Sequence, residues 1–398
     1  MKKSELLSIY IHTPFCESRC SYCDFNTYVG YESSIDNYVS ALIKESLILS
    51  KKIKPDSITH TVYFGGGTPT LLRPQQVESI IGQLHVAFNI RVGAEMTMEA
   101  NPCSINSRDL SNLRKLGINR LSIGMQSAHE NELMILGRRH SYYDVVTAVN
   151  DARRLGFENI NLDIIFGFPT QTLKSFQNTL RKAIELDPNH ISLYALTLED
   201  DKPLAKMIKN KEVEQIDEDE AADMYEMAID YLPKWGYDQY EISNWARDDA
   251  YQCQHNLQYW KNLAYIGLGC GAHSHYNNQR WENILTIPEY INKINLDSGN
   301  TSELSPVVMN CVTLTIKEQM QETIMMGMRM TQEGLNIGLF NERFDVDFFD
   351  VYKKEIEELL INNFIEFIKN QEIQCIRLTK KGRLLGNHVF RTFLSDNT

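Results

Sequence analysis

Residues 10–26, YIHTPFCESRCSYCDFN, contain three cysteines in the spacing Cys-x3-Cys-x2-Cys. They are Cys16, Cys20 and Cys23, and Phe25 stands where one more cysteine would fit. Each iron of a four-iron cluster takes one outside ligand, so three thiolates on a short loop leave one iron open to a small molecule. Catalytic metal sites keep such an open position. The spacing therefore predicts an iron–sulfur site, and zinc held by the three cysteines and a distant histidine is the alternative.

The composition indicates a globular protein with room for two folded units. The chain has 398 residues, of which 43% are hydrophobic and 23% are charged, as in proteins that build a full core. A net charge of -12 and the lack of a Lys/Arg block argue against nucleic acid as the main partner. Eight cysteines, of which only three are clustered, do not suit a disulfide framework. We therefore expect a reducing, cytoplasmic location.

The start of the chain predicts a strand rather than a targeting signal. The first apolar run is short, is interrupted by polar residues and lacks a small-residue cleavage site. No other apolar run reaches the length needed to cross a bilayer. We expect no transmembrane segment.

Strand-like and helical patterns alternate through the first half of the chain. Such alternation predicts repeated βα units around a parallel sheet, an α/β fold. The predicted strands are at residues 7–12, 59–64, 94–99, 119–124, 159–166 and 190–196. Helical periodicity covers residues 36–53, 74–88, 107–117 and 141–156, with Gly117 and Gly156 at two of the stops.

The second half of the chain has a different pattern. We predict a core domain over residues 1–215, a connecting segment over 216–317 and a C-terminal domain over 318–398. The C-terminal pattern of helices, a pair of short strands and a basic helix indicates a mostly helical, winged-helix-like unit, and a simple helical cap on the core domain is the alternative. The Met-rich run at 325–330 is typical of an adaptable core.

The cysteine spacing directly after a first strand resembles the signature of the radical S-adenosylmethionine superfamily. The resemblance implies a partial (β/α)6 barrel and a 4Fe-4S cluster whose open iron is chelated by S-adenosylmethionine. The glycine-rich turn at residues 65–70, GGGTPT, is similar to the superfamily's motif for the methionyl amino group and places Gly66, Gly67 and Thr68 at this cofactor. Glycines allow close approach of a backbone to a ligand.

Polar side chains also lie in or directly after the third, fourth and fifth predicted strands. Any one of them alone is better explained as a solvated or hydrogen-bonded loop residue, but the carboxyl ends of parallel strands are where barrels place their sites. The resemblance implies contacts with S-adenosylmethionine from several of these positions, with Tyr22 against the adenine. The residues implied are Tyr10, Tyr22, Glu99, Gln126, Arg138 and Asp163.

Within the superfamily, YIHTPFC, CDF, GGGTPT and GFPTQT resemble the branch of the oxygen-independent coproporphyrinogen III dehydrogenases and their heme-chaperone relatives. The dehydrogenases have a further cysteine where this chain has Phe25, and a long N-terminal arm where this chain reaches Cys16 almost at once. Both departures are the pattern of the chaperones. A second mark of the chaperones is the heme-associated motif His-Asn-x-x-Tyr-Trp, which here is HNLQYW at residues 255–260.

The resemblance assigns heme binding to His255, with Tyr259 and Trp260 as apolar faces for a porphyrin. From the residues alone, two other interpretations stay open. His255 is a hydrogen-bonded core residue in the first. In the second, His255 binds zinc together with other nearby side chains. The other candidate zinc ligands are Cys253, Cys270, His273 and His275.

Two functions therefore compete. The first is a heme chaperone that carries a 4Fe-4S cluster and exchangeable S-adenosylmethionine, binds heme and passes it to an acceptor protein. The second is an oxygen-independent coproporphyrinogen III dehydrogenase, because the chain keeps the cysteines and the nucleotide-site residues that radical formation needs. The identity of the acceptor is open, and so is a homodimeric state.

Overall fold

Six parallel strands form the centre of a twelve-stranded sheet. The computed structural model describes residues 5–215, 217–297, 304–370 and 373–394. The central strands are β1 (Leu6–Thr13), β2 (Ile58–Gly66), β3 (Ile90–Ala100), β4 (Arg120–Gln126), β5 (Asn159–Phe166) and β6 (His190–Ala195). They pair in chain order, each parallel to the next. All six are the strands that the sequence predicts, and together they form the expected partial barrel.

Helices connect these strands and cover the outside of the sheet. They are α1 (Ile35–Ser50), α2 (Pro74–Ala87), α3 (Ser107–Lys115), α4 (Glu130–Ile135), α5 (Tyr142–Arg154) and α6 (Leu173–Glu185). Local signals fix their ends. The Ser141 side chain accepts a hydrogen bond from the Asp144 amide, and Asp144 caps the Ser141 amide in return, as in a capping box. The predicted stops Gly117 and Gly156 both adopt positive φ angles, which glycine tolerates.

The segment expected to be a connection supplies strands to both edges of the same sheet. One edge ends in the antiparallel pair β7 (Asp238–Glu241) and β8 (Asn244–Ala246), and β8 pairs with β6. At the other edge β9 lies parallel to β1, and three antiparallel strands follow it. These four strands are β9 (Tyr265–Leu268), β10 (His273–Tyr276), β11 (Gln279–Asn283) and β12 (Val308–Thr313).

The helices of this middle segment are α7 (Pro203–Lys209), α8 (Glu218–Tyr231), α9 (Gln254–Trp260) and α10 (Ile287–Leu296). An acidic stretch forms α8, and the Asp217 side chain caps its first turn. None of the described helices combines the length and the apolarity needed to cross a membrane.

The C-terminal part has a small sheet and a core of its own. Its elements are α11 (Ile316–Gly327), β13 (Leu335–Asn336), α12 (Ile337–Phe344), α13 (Phe348–Val351), α14 (Lys353–Ile361), β14 (Ile365–Asn370), β15 (Ile373–Leu378), α15 (Lys380–Leu384) and α16 (Gly386–Leu394). The sheet has the order β13-β15-β14, and Phe340, Phe348 and Ile376 are buried at the centre of its core. A separate sheet and core distinguish this unit from a simple helical cap. Met328, from the Met-rich run, is buried in this core, as expected.

A buried carboxylate ties the added edge strands to the first βα unit. Glu45 on α1 is 0% exposed. Its oxygens accept hydrogen bonds from the Gly269 amide (2.8 Å), the Asn283 side chain (2.7 Å) and the Tyr290 hydroxyl (2.6 Å). Burial raises the pKa of Glu45 to about 7, although these three donors act to lower it. The bonds join α1 to the end of β9, to β11 and to α10.

We expect Glu45→Ala to lower the free energy of unfolding by about 3 kcal/mol at pH 5, because three buried donors lose their acceptor. The unfolded chain releases this proton near the ordinary pKa of 4.5 and the folded protein near 7. Stability contributed by the group therefore falls as the pH rises between these values, and the loss in the variant should be smaller at pH 8. Urea unfolding at both pH values measures this. Glu78→Ala, at an exposed residue of α2, is the control, and equal losses in both variants would contradict the role of Glu45.

Candidate functional site

The three cysteines lie on a loop that leaves the carboxyl end of β1 and is closed at its base by backbone hydrogen bonds. The Cys16 amide donates to the Tyr28 carbonyl (3.0 Å), and the Tyr28 amide donates to the Pro14 carbonyl (2.7 Å). Cys16, Cys20 and Cys23 are all partly buried and free of disulfides. The loop therefore has a fixed base, and its thiols face the same edge of the sheet as the ends of the other parallel strands.

The glycine-rich turn after β2 packs directly on this loop. The Gly67 amide donates to the Thr13 carbonyl (2.7 Å), and the Thr68 amide donates to the Phe15 carbonyl (2.8 Å). A Cβ on Gly67 would lie 2.6 Å from the Phe15 oxygen and 3.0 Å from the Cys16 sulfur. Only glycine permits this approach, which explains the residue type at position 67.

The end of α4 and the segment after it hold the other side of the cysteine loop. The Ser21 hydroxyl donates to the Ile135 carbonyl (2.6 Å). The Arg138 guanidinium donates to the Gly124 carbonyl on β4 (3.0 Å) and lies 3.5 Å from the sulfur of Cys20. Arg138 therefore fixes the Cys20 side of the loop against the end of β4.

A cavity of about 360 Å³ opens at the carboxyl ends of the strands, a volume within the usual range for small-molecule sites. The structure brings eleven of the thirteen site residues that the sequence predicts into its lining. They are Cys16, Cys20, Tyr22, Cys23, Gly66, Gly67, Thr68, Glu99, Gln126, Arg138 and Asp163. Phe25 also lies at the cavity and is 65% exposed.

The polar wall of the cavity contains two carboxylates. Glu99 accepts from the Tyr63 hydroxyl (2.9 Å) and from the Gly66 amide (3.1 Å). Burial and, to a smaller extent, the nearby Asp163 raise the pKa of Glu99 to about 7. Asp163 accepts from the Ser122 hydroxyl (3.0 Å), and burial raises the pKa of Asp163 as well. Two partly desolvated carboxylates that face one cavity suit a ligand with positive charge, such as the sulfonium and ammonium groups of S-adenosylmethionine.

Gln126 has an unused hydrogen-bonding group at the same cavity. Its side-chain oxygen is buried and has no hydrogen-bond partner among the described residues. Its backbone has a φ angle of 61°, a left-handed conformation that is unusual for a residue other than glycine. Strained backbone and unpaired buried polar atoms are typical of binding sites. This residue fits a hydroxyl or amino donor of S-adenosylmethionine.

Another part of the cavity lining is apolar. Tyr22 lines the cavity and packs against a buried group that includes Leu136 and Ile165. Leu196 belongs to the same wall. An apolar surface with one aromatic ring suits a purine, which agrees with the adenine position expected beside Tyr22. The lining therefore fits S-adenosylmethionine on both of its sides.

The described residues contain no group of three His, Cys, Asp or Glu side chains that converge on one metal ion. A 4Fe-4S cluster needs no such convergence, because each thiolate binds a different iron. A zinc ion held by Cys253, His255 and Cys270 with the neighbouring histidines does need it. The geometry supports the cluster and gives no support to the zinc alternatives.

Tyr10 does not line the cavity. Its hydroxyl hydrogen-bonds Nδ1 of His12 (3.1 Å), and its ring stacks near Tyr63 with centroids 6.2 Å apart. Tyr63 is in register with Tyr10 on the neighbouring strand and itself lines the cavity. In this structure Tyr10 is therefore separated from the expected cofactor by contacts inside the barrel.

His255 is also outside the cavity, in the interior of the protein, where it is 1% exposed. Its Nδ1 lies 2.7 Å from the Thr61 hydroxyl and its Nε2 lies 2.9 Å from the Tyr259 hydroxyl. Burial lowers the pKa of His255 to about 3, so the ring is neutral and uses one nitrogen as donor and the other as acceptor. Neither nitrogen is available to a heme iron in this conformation. This is the arrangement expected of a hydrogen-bonded core histidine.

Further cavity residues were not predicted, notably Tyr63, Ser122 and Tyr194. Tyr63 stands in an apolar run that predicts only a buried strand. Ser122 and Gly124 lie two residues apart on one face of β4, and both line the cavity with Gln126. Polar residues at alternate positions of a buried strand are the signal that would have identified it.

Comparisons with known proteins agree with this geometry. Residues 10–183 match the Radical SAM superfamily, and residues 314–385 match the HemN C-terminal domain. The chain is 34% identical to the heme chaperone HemW of Bacillus subtilis (strain 168), over 98% of this chain and 99% of the relative. It is 32% identical to the heme chaperone HemW of Lactococcus lactis, over 98% of both chains.

Among solved structures, the chain resembles the coproporphyrinogen III oxidase HemN of Escherichia coli, described as a radical SAM enzyme. The TM-score is 0.83, and the match covers 98% of this chain and 90% of that protein at 24% identity. At this identity the likeness demonstrates the shared fold alone.

We expect Cys20→Ser to abolish cluster assembly, because one iron loses its thiolate and the neighbouring Arg138 loses its sulfur partner. Anaerobic reconstitution with iron and sulfide, followed by metal analysis and electron paramagnetic resonance of the reduced protein, measures the outcome. Cys103→Ser, at an exposed thiol outside the cavity, is the control and should match the wild type. Wild-type iron and sulfide content in Cys20→Ser would exclude this thiol as a ligand.

The affinity for S-adenosylmethionine should depend on the ionisation of Glu99. Below its raised pKa of about 7 the carboxyl is neutral and attracts the cationic cofactor less. We expect affinity to fall by up to about tenfold per pH unit as the pH drops from 7 to 6, and Glu99→Gln to bind weakly with a flatter profile. Anaerobic equilibrium dialysis at pH 6, 7 and 8 tests this, with the exposed Glu78→Gln as control. An unchanged slope in Glu99→Gln would assign the titration to another group.

Proposed function

The chain belongs to the HemW family within the radical SAM superfamily, and on this premise we propose that it is a heme chaperone, which binds heme as cargo and passes it to an acceptor protein. The observation that carries the proposal is similarity along nearly the whole chain, 98%, to relatives named heme chaperones. The match includes the C-terminal part, so it is not confined to the cysteine loop.

The residues that line the cavity suit the cofactors that the proposed function requires. Cys16, Cys20 and Cys23 would hold the 4Fe-4S cluster, which, when bound, supplies single electrons and one open iron for S-adenosylmethionine. This chain's own residues do the binding work. Glu99 and its neighbour Asp163 provide negative charge, and the other lining residues orient the cofactor and exclude water.

Phe25 supports the chaperone over a dehydrogenase. It lies at the mouth of the cavity, largely exposed, where the dehydrogenase pattern has a further cysteine. An exposed aromatic ring suits contact with a flat apolar molecule, and a thiol at this position would serve a different purpose. The second candidate, coproporphyrinogen III dehydrogenase, is favoured by one observation, which is that the complete cysteine loop and its cavity are retained.

We also propose a cytoplasmic location. All eight cysteines are free, although Cys16, Cys20 and Cys23 lie close together on one loop. Thiols in this arrangement survive for metal binding in a reducing compartment.

Heme titration of the anaerobically reconstituted wild-type protein, followed by its Soret absorbance, tests the proposal. We expect saturable binding. The bound heme should also reach an apo-globin probe faster than heme that dissociates spontaneously from serum albumin reaches the same probe. A matched Phe25→Ser variant should bind heme more weakly if the exposed ring contributes to the site, while Val92→Ser, at a fully exposed apolar residue far from the cavity, is the control.

The same preparation is incubated with coproporphyrinogen III, S-adenosylmethionine and a low-potential reductant, without oxygen. The proposal expects no protoporphyrinogen. Formation of protoporphyrinogen would replace the chaperone proposal with the dehydrogenase. The absence of both protoporphyrinogen and saturable heme binding would reject both functions.

A further inference from the structure

Helix α9, which carries the HNLQYW motif, closes the interior of the barrel on the side away from the cysteine loop. The Glu95 side chain on β3 accepts from the amides of Gln254 (3.0 Å) and His255 (3.1 Å) at the helix start. The Gln258 side chain donates to the carbonyl of Leu6, the first residue of β1 (3.1 Å). The helix is therefore anchored to two of the strands whose opposite ends form the cofactor cavity.

A chain of three contacts leads from this helix to the cavity. The His255 ring stacks on the Tyr63 ring with centroids 5.0 Å apart and an interplanar angle of 28°. The Tyr63 hydroxyl donates to Glu99 (2.9 Å). The other oxygen of Glu99 accepts from the Gly66 amide (3.1 Å), in the glycine-rich turn that packs on the cysteine loop.

We propose that His255 is a positioning residue of the S-adenosylmethionine cavity, acting through Tyr63 and Glu99, and that it is not an axial ligand of heme. The Thr61 and Tyr259 hydroxyls fix the plane of the imidazole. The imidazole in turn fixes the tilt of the Tyr63 ring, and this tilt directs the phenol hydroxyl at Glu99. Glu99 is thereby held at the Gly66 amide, facing the cofactor.

The geometry argues against heme coordination at this residue. An iron atom would need one ring nitrogen to break its buried hydrogen bond to Thr61 or Tyr259. A porphyrin at His255 would also have to displace the rings of Tyr10 and Tyr63, which lie within 6.4 Å and 5.0 Å of the imidazole. This inference rests on the proposed function and extends it, because it links the HNLQYW motif to cofactor binding and leaves heme binding to other residues.

The test measures two affinities in the same reconstituted protein. S-adenosylmethionine binding is followed by anaerobic dialysis and by the change that the cofactor causes in the electron paramagnetic resonance spectrum of the reduced cluster. Heme binding is followed by Soret absorbance. The variants are His255→Ala and Tyr63→Phe, which removes only the hydroxyl that reaches Glu99.

His60→Gln is the matched control. His60 is also a buried imidazole, and it bonds Gln258 of the same helix (2.9 Å), but Tyr63 is not among its ring contacts. The His60→Gln variant therefore shows how far a general loosening of α9 alone affects the two affinities. Rescue is tested with His255→Phe, which restores a flat ring against Tyr63 without any iron-binding nitrogen.

We expect His255→Ala and Tyr63→Phe to weaken S-adenosylmethionine binding by about tenfold, the effect of one hydrogen bond to a charged group. Both should reduce the spectral response of the cluster and leave the heme affinity and the Soret position as in the wild type. His60→Gln should match the wild type, and His255→Phe should recover part of the loss.

Loss of heme binding in His255→Ala overturns the inference, whatever happens to S-adenosylmethionine. Wild-type S-adenosylmethionine affinity in Tyr63→Phe overturns it too, and this variant keeps the test decisive if His255→Ala does not fold. Failure of the wild type to bind heme would reject the chaperone proposal alone, because the positioning role is judged by S-adenosylmethionine affinity.

Discussion

The site depends on a ladder of backbone hydrogen bonds between β1 and β2 that continues past the ends of both strands. The parallel pairing of β1 and β2 reaches Thr13 and Gly66 in register. Two further bonds, from the Gly67 amide to Thr13 and from the Thr68 amide to Phe15, carry the pairing into the cysteine loop. A loop that is hydrogen-bonded to a sheet has few conformations of its own, so most of the entropy cost of arranging three thiolates is met when the sheet forms. The cluster site is therefore an extension of the fold.

The interior of the barrel is more polar than that of most parallel sheets, whose strands are normally continuous apolar runs. Glu99 and Asp163 each accept hydrogen bonds from neighbours, yet burial still raises the pKa of both carboxyls. Their partners thus only partly replace the water that was lost. Such groups lower stability unless a ligand completes their environment, which is the usual compromise at a functional site.

The sequence was sufficient for the parts of the structure that follow local rules. Long apolar strands, capped helices and glycine stops identified six βα units, and the order of strand ends identified most of the cavity. The edge strands were not predicted, because most of them are short. β8 has three residues, and β9 and β10 have four each and lie in a stretch rich in glycine and histidine. Short strands take their stability from the sheet they join rather than from their own sequence. The positions of Tyr10 and His255 depend equally on tertiary packing, since neither spacing nor motif indicates which layer of the barrel a side chain reaches.

The left-handed backbone at Gln126 has a consequence for any attempt to engineer this scaffold. For a residue with a side chain this conformation is unfavourable by about 1 kcal/mol or more of free energy, whereas glycine adopts it at almost no cost. Selection of a mutant library for heat resistance alone would therefore enrich glycine at position 126 and discard the amide that faces the cavity. Thermostable descendants obtained in this way would keep their shape while losing ligand recognition. Position 126 should be held fixed whenever stability is improved.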